Sequence, residues 1–396
     1  MVEKRKKILF VHHDSTLAGG GANDDFLRIL KHLWFTEKYE IECAFPDGDR
    51  VSEYSMYCHK YYFYTKVFFP VRYISPMHYY GFFKLYFKNK REFAKILDKS
   101  YYDISLVNVS VLIWPSIFIK KKKIKQIIFI RELVQPEFIQ KIILKRLNTL
   151  GTFFFSVSES LKKNYIEITG SNNVATINSA LEADIDESIV TDSEFYTSLK
   201  NLGVQKTNLL ESKNLICVGA VNERKNQLLI IKTLAYLKST GQNVPNIFFA
   251  GDTSDNVDYY EMMLKKINKS GISDNVFFLG HADKKNLYKI LSRMDALIIS
   301  SKSEGLPLVL VEALKFNIPV ITSNVGGIKD IIVDNVNGIV IGLTEKSLSN
   351  AIGLLNDKVF VNKITSNGYS TFRSKFNLEE NLKLIVNKID SLTADE

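Results

Sequence analysis

The stretch ALIISSKSEGLPLVLVEAL, residues 296–314, decides the fold. Ala296–Ile299 is a short, uniformly apolar run. A run of that length without alternation suits a strand covered on both faces, as in parallel sheets. Ser300 to Glu304 is polar, Gly305 leaves the backbone unhindered, and Pro307 suits the first position of a helix. The pattern predicts a helix over 307–316. The turn then lies at the carboxyl end of a strand, where α/β sheets hold their ligands. Glu304 falls in that turn. Glu312 falls within the helix among Val309, Leu310, Val311 and Leu314, where a carboxylate is costly without a partner. A ribose diol would supply two hydroxyl donors. The plainer readings are a helix-start acid for Glu304 and a solvent-facing helical acid for Glu312.

The same alternation extends outward in both directions. Downstream of residue 210, apolar runs at Leu215–Val218, Ile247–Ala250, Val276–Leu279 and Pro319–Thr322 read as further strands. Helical patterns at 225–239, 257–269 and 284–293 separate them. In the first half, Ile8–His12, Ile41–Phe45, Ile104–Val109, Ile127–Ile130, Phe153–Val157 and Val174–Ile177 read as strands, and Asn23–Trp34 as a helix. Strand–helix alternation argues for parallel βαβ units. Apolar residues thin out from Glu182 to Glu194, so 182–210 reads as a linker. The expected class is therefore α/β, with two Rossmann-like, doubly wound domains facing a central cleft. Residues 1–200 would form the first domain and 201–375 the second, with a C-terminal helix at 376–396 crossing back to the first.

Composition agrees and narrows the field. A chain of 396 residues exceeds one ordinary core. With 46% apolar and 24% charged residues it is neither collagenous nor disordered. The net charge of +9 suits an anionic ligand, a membrane surface or nucleic acid without choosing among them. Cys43, Cys58 and Cys217 have no metal or redox spacing and read as packing residues. No segment reads as a signal or a membrane span. The expectation is a cytoplasmic protein with no metal and no cofactor.

Other turns carry chemistry. In VGAVNERKNQ (218–227), Arg224 and Lys225 follow a strand and precede a helix, which suits a pyrophosphate. Gly19, Gly20 and Gly21 lie between the first strand and helix and would let backbone N–H groups approach an anion. Ser323–Asp330, containing Gly326 and Gly327, is a further glycine-rich turn. Each also reads as plain connection.

Residues 210–375 resemble the nucleotide-sugar domain of retaining GT-B glycosyltransferases of glycosyltransferase family 4, also called glycosyl transferases group 1. VGAVNERKNQ, NVFFLGH, LSRMDALIISSKSEGLPLVLVEAL, IPVITSNVGGIKDII and NGIVI occur in the family's order. SVSES and TINSAL extend the likeness more weakly into the first half. The resemblance implies that Lys225, with Arg224, neutralises the donor diphosphate and that Glu304 meets the donor sugar. It places Ser301 and the backbone of Gly219, Gly305, Leu306 and Pro307 around the donor. Glu312 would hold the ribose and the backbone around Gly280 and His281 would meet the base. Gly20 and Gly21 would lie under the diphosphate. It also implies cations in place of a metal. Departures exist: Ala220 stands where the family usually has Arg, and Arg131 and Glu132 stand where a His is common. Arg224 could serve the same phosphate, and His12, His13 or Arg131 could serve the sugar or acceptor.

The implied activity is retaining transfer of a sugar from a nucleotide sugar (UDP-sugar favoured, GDP-sugar next) to a glycan or lipid-linked glycan in bacterial surface polysaccharide assembly, capsule or O-antigen. The competing reading, motivated by Ala220, is a catalytically weak GT-B partner or chaperone subunit. Residues 55–91 mix aromatic rings with Lys and Arg, and Lys120–Lys123 and Lys125 add charge. This suits peripheral contact with an anionic membrane, against the alternative of an aromatic core with solvated lysines. No nucleic-acid-binding motif is present.

Overall fold

The computed structural model describes residues 5–15, 20–65, 76–132, 137–178, 181, 190–206, 209–254 and 256–394, without the side chains of 76–87 and 210. Gly19, residues 66–75 of the aromatic–basic segment, Ser179 and Ala180 of TINSAL, and most of the acidic stretch (182–189) lie outside the described residues. The chain divides into unit 1, Met1–Ser179 with Leu378–Glu396, and unit 2, Ala180–Asn377.

Unit 1 runs β1 (Lys6–Val11), α1 (Gly20–Phe35), β2 (Tyr39–Phe45), α2 (Val51–Ser55), β3 (Lys60–Phe63), α3 (Pro76–Lys99), β4 (Ile104–Val107), α4 (Ile113–Lys121), β5 (Lys125–Ile130), α5 (Glu137–Leu150), β6 (Phe153–Ser156), α6 (Glu159–Thr169) and β7 (Val174–Thr176). Its seven strands stand in the order β3-β2-β1-β4-β5-β6-β7. Every pairing is parallel. Burial of the inner strands explains their unbroken apolar runs: β4 is buried at all four positions.

Unit 2 runs α7 (Asp192–Asn201), β8 (Asn214–Val218), α8 (Gln227–Ser239), β9 (Asn246–Ala250), α9 (Val257–Ser270), β10 (Val276–Gly280), α10 (Lys284–Leu291), β11 (Ala296–Ile299), α11 (Leu308–Lys315), β12 (Val320–Ser323), β13 (Ile339–Ile341), α12 (Glu345–Leu354) and α13 (Lys358–Lys375). Its sheet, also parallel, is β10-β9-β8-β11-β12-β13. In both sheets the chain reverses its direction of strand addition beside the first strand. The switch points lie between β1 and β4, and between β8 and β11, and the loops leaving those strands are where ligands settle.

Three sequence expectations change. The stretch 182–210 is not all linker. Thr191 and Glu194 form a capping box that starts α7, which buries Phe195 and Leu199. Glu194 pairs with Lys289 of α10 at 2.9 Å, and Asp192 pairs with Arg293. These contacts assign α7 to unit 2, so the division falls before residue 200. Second, part of the aromatic–basic segment is core. In β3, Tyr62 is buried while Tyr61 and Phe63 are half-exposed, the alternation of an edge strand. The Tyr62 hydroxyl donates to buried Glu42 at 3.0 Å, and Tyr64, also buried, donates to the His12 carbonyl. Third, Lys125 is committed within the fold, donating to Leu392 O at 2.9 Å. Its acceptor ends α14 (Leu378–Thr393), which buries Leu382, Ile385, Val386 and Ile389 in the core of unit 1. Cys43, Cys58 and Cys217 are free and buried.

Candidate functional site

The two loops flanking the β8/β11 switch point are tied together before any charge is considered. Lys302 N donates to Arg224 O at 2.8 Å, and Ser300 Oγ donates to Lys225 O at 3.0 Å. Asn226, with φ of 56°, donates from its side chain to Ser300 O at 3.2 Å. Asn222 Oδ1 accepts from Lys225 N at 3.0 Å, and Gln227 Nε2 donates to Ala220 O at 2.9 Å. The backbone carrying Arg224 and Lys225 is therefore a braced turn. Helix α8 begins at Gln227, after the cations and not with them.

On this frame Glu304, 6% exposed, takes three partners. Oε1 accepts from Lys225 Nζ at 2.7 Å and Ser301 Oγ at 2.6 Å; Oε2 meets Arg224 Nη1 at 3.1 Å. Burial pushes the Glu304 carboxyl up, but the charges of Lys225 and Arg224 and the hydrogen bonds outweigh it and hold it below its ordinary value. Two glycines make the arrangement possible. Gly219, with φ of +132°, lies under Lys225, whose Cε would be 2.9 Å from a Cβ there. At Gly326, φ is +53° and a Cβ would fall 1.6 Å from Glu304 O. The sequence marked Gly326 as turn chemistry; its part in seating Glu304 needs the third dimension.

Helix α11 starts at Leu308, with Pro307 in the cap position. Proline has no N–H, so of Gly305, Leu306 and Pro307 only the first two can donate to a ligand at that corner. Glu312 is not solvent-facing: it is 4% exposed and accepts from the Tyr288 hydroxyl of α10 at 3.1 Å. Sequence reading missed Tyr288, which no local pattern links to a residue on another helix. His281 is exposed beyond β10, after Gly280 with φ of +62°. Glu304, Arg224, Lys225, Ser301 and Gly219 are thus brought into one cluster, and Glu312 and His281 stand on neighbouring elements of unit 2.

The switch point of unit 1 is built differently. Gly20 and Gly21 open α1. Arg131, after β5, is buried; its Nε donates to Asn108 O and Oδ1, both at 3.0 Å, and Nη1 pairs with Asp25 at 2.7 Å. Asp25 also takes Arg28 at 2.5 Å. His12 stacks on Phe26 with ring centroids 4.0 Å apart, and Asn108 Nδ2 lies 2.8 Å from its Nδ1. Burial, then the charges of His13, Arg131 and Arg50, drive the His12 pKa well below its usual value. His13 packs edge-on against His12 at 4.9 Å.

Among the described residues no group of three or more His, Cys, Asp or Glu is placed to hold a metal ion, and no helix is long and apolar enough to cross a membrane.

Comparison with known proteins supplies the family context. Residues 203–371 match the Glycosyl transferases group 1 family. An alpha-1,4-N-acetyl-D-galactosaminyltransferase of Campylobacter jejuni, named for a GalNAc-GalNAc-diNAcBac-PP-undecaprenol substrate, is 31% identical over 184 residues, 44% of this chain and 48% of that protein. A Staphylococcus aureus capsular polysaccharide biosynthesis glycosyltransferase is 28% identical over 130 residues, 33% of this chain and 36% of that one. The chain thus spans about half the length, or less, of the relatives it matches. Over the whole fold, Anabaena HepE in complex with UDP and glucose superposes with a TM-score of 0.79, at 18% identity, covering 98% of this chain and 100% of that one. The fold is GT-B.

Proposed function

We propose that this protein, built on the GT-B fold with a glycosyl transferases group 1 domain at residues 203–371, is a glycosyltransferase. It moves a sugar from a nucleoside-diphosphate donor, UDP-sugar favoured, to a glycan or lipid-linked glycan in bacterial surface polysaccharide assembly. The observation that carries this reading is the pair of cations, Arg224 and Lys225, converging on one buried carboxylate at the β8/β11 switch point. A nucleotide-sugar transferase can use such cations. Cleaving the bond from sugar to diphosphate leaves negative charge on the β-phosphate, and fixed cations that meet that charge lower the barrier. Lys225, braced against Gly219, stabilises the leaving phosphate, with Arg224 beside it and the N–H groups of Gly305 and Leu306 at the corner. Glu304 receives donor sugar hydroxyls, and Glu312, oriented by Tyr288, receives those of the ribose. The base lies by Gly280 and His281.

Transfer proceeds with retention, the acceptor attacking from the face the phosphate leaves and giving its proton to that phosphate. Because the cations supply the positive charge, activity needs no added metal. Lipid-linked acceptors would bring the protein to an anionic membrane, met by the exposed rings of segment 55–91, Tyr61 and Phe63 among them. The competing role, a partner subunit that binds donor without turnover, is favoured by Ala220.

A donor screen in chelator decides between these. Thermal shift and nucleotide release are followed with UDP-, GDP-, ADP- and CMP-sugars, with and without membrane extract. One stabilising donor, turned over faster with extract, supports the transferase. Stabilisation without turnover supports the partner subunit. A requirement for divalent metal refutes the metal-free chemistry. Sedimentation with anionic liposomes tests the membrane contact, which fails if the protein stays in the supernatant.

A further inference from the structure

The three partners of Glu304 are not equivalent. Oε1 is held from the buried side by Lys225, 14% exposed, and Ser301, 1% exposed. Oε2 is held from the solvent side by Arg224, whose side chain is 51% exposed. Arg224 makes its remaining side-chain contact with Ser303 O at 3.1 Å. Its backbone is pinned, because its carbonyl accepts from Lys302 N. A swing of Arg224 therefore moves a guanidinium and leaves the loop in place. Such a swing leaves Glu304 compensated, since Lys225 and Ser301 still hold Oε1. It uncovers one carboxylate oxygen, Oε2.

We propose that Arg224 is a charge-operated latch on Glu304: it covers Oε2 until a diphosphate draws it away, and the uncovered oxygen then accepts a donor sugar hydroxyl. This rests on the donor-site reading and adds an order of events to it. The carboxylate and the diphosphate compete for the same guanidinium. Two phosphates present more charge in a geometry that suits its planar fork, so the diphosphate wins. The sugar contact is thereby reserved for ligands that carry a diphosphate. A free sugar meets Oε2 already occupied.

The competition is tested by calorimetric titration of inorganic pyrophosphate, and in parallel UDP, into the full chain. Glu304→Gln keeps the side-chain shape and removes the competing charge. It should tighten pyrophosphate binding about fivefold, the order expected for one unit charge about 4 Å away where water screens it. In an Arg224→Ala background most of that gain should vanish, because the cation released by Glu304→Gln is gone. An unchanged or weaker pyrophosphate affinity in Glu304→Gln overturns the latch. So does a gain that survives undiminished in the Arg224→Ala background, which would assign the competition to Lys225 alone. Should Glu304→Gln not fold, Glu304→Asp withdraws the carboxylate from Arg224 and should also tighten binding; no change there overturns the proposal equally. If the wild-type chain binds neither pyrophosphate nor UDP at any ionic strength, the donor-site reading fails and the latch with it.

Discussion

Units 1 and 2 repeat one topology, yet their switch points hold charge in opposite ways. In unit 1 the guanidinium of Arg131 is 7% exposed and closed in by Asp25 and Asn108. In unit 2 that of Arg224 is 51% exposed and rests on a carboxylate it can leave. Both arginines follow a strand at the carboxyl edge of a parallel sheet. The lesson is that position in the fold nominates a residue for binding, while exposure and partner count separate a brace from a binder. Burying an ion pair contributes little net stability, but removing one partner strands the other, and so the Arg131–Asp25 pair resists change.

The largest effect should come from breaking the brace. Arg131→Ala takes one of the cations from buried Asp25 and the donor from Asn108, and should cost unit 1 about 3–5 kcal/mol. The only two tryptophans, Trp34 and Trp114, both lie in unit 1, so their fluorescence in denaturant reports that unit alone. An Arg131→Ala protein with an unshifted tryptophan transition and lost transfer would reverse the comparison, making Arg131 the binder.

Next is the opposite signature in unit 2. Lys225→Ala should lower kcat by about 10²–10³, the usual cost of one electrostatic contact to developing charge. The tryptophan transition should not move. Full activity would remove Lys225 from the site.

Smaller is a pH effect confined to unit 1. Burial holds the folded His12 pKa well below its ordinary value, so the unfolded chain binds a proton that the folded chain does not. Stability from this group is complete above the unfolded histidine pKa of about 6.5 and falls as pH drops below it, by up to about 1.4 kcal/mol per pH unit. A His12→Gln protein should show a flatter tryptophan-monitored stability between neutral and mildly acidic pH. An equal slope in both proteins would place the titration elsewhere.

Smallest is Tyr288→Phe, which removes one hydrogen bond to Glu312 and should raise the donor KM a few-fold, the equivalent of about 0.5–1.5 kcal/mol. Its kcat should hold. A fall in kcat with KM unchanged would contradict a ribose role for Glu312.

Much of this was legible in one dimension, and particular residues show where legibility stopped. The run Ala296–Ile299 is a strand to the residue, because a strand buried on both faces must be apolar at every position. Edge strands escape that rule. In Lys60–Phe63 one buried tyrosine alternates with exposed rings, so composition suggests a surface where the fold has a sheet edge. Helix α7 carried its signal in Thr191 and Glu194, but its thin apolar face masked it. The candidate cluster was nominated by its local sequence: Arg224 and Lys225 on one turn, Glu304 on another.

The sequence by itself determined two parallel α/β units and the loops that bear the chemistry, because periodicity, glycine and proline act over a few residues. Only the tertiary structure decided which charges meet. Glu304 lies 80 positions from Arg224, and nothing in either turn states that Oε2 meets Arg224 while Oε1 meets Lys225. Nor does anything near Arg131 announce Asp25, 106 residues away. Charge falls off with distance in space, not along the chain, and burial sets its strength. The same side chain, an arginine after a strand, therefore becomes a brace or a latch according to what the fold packs around it.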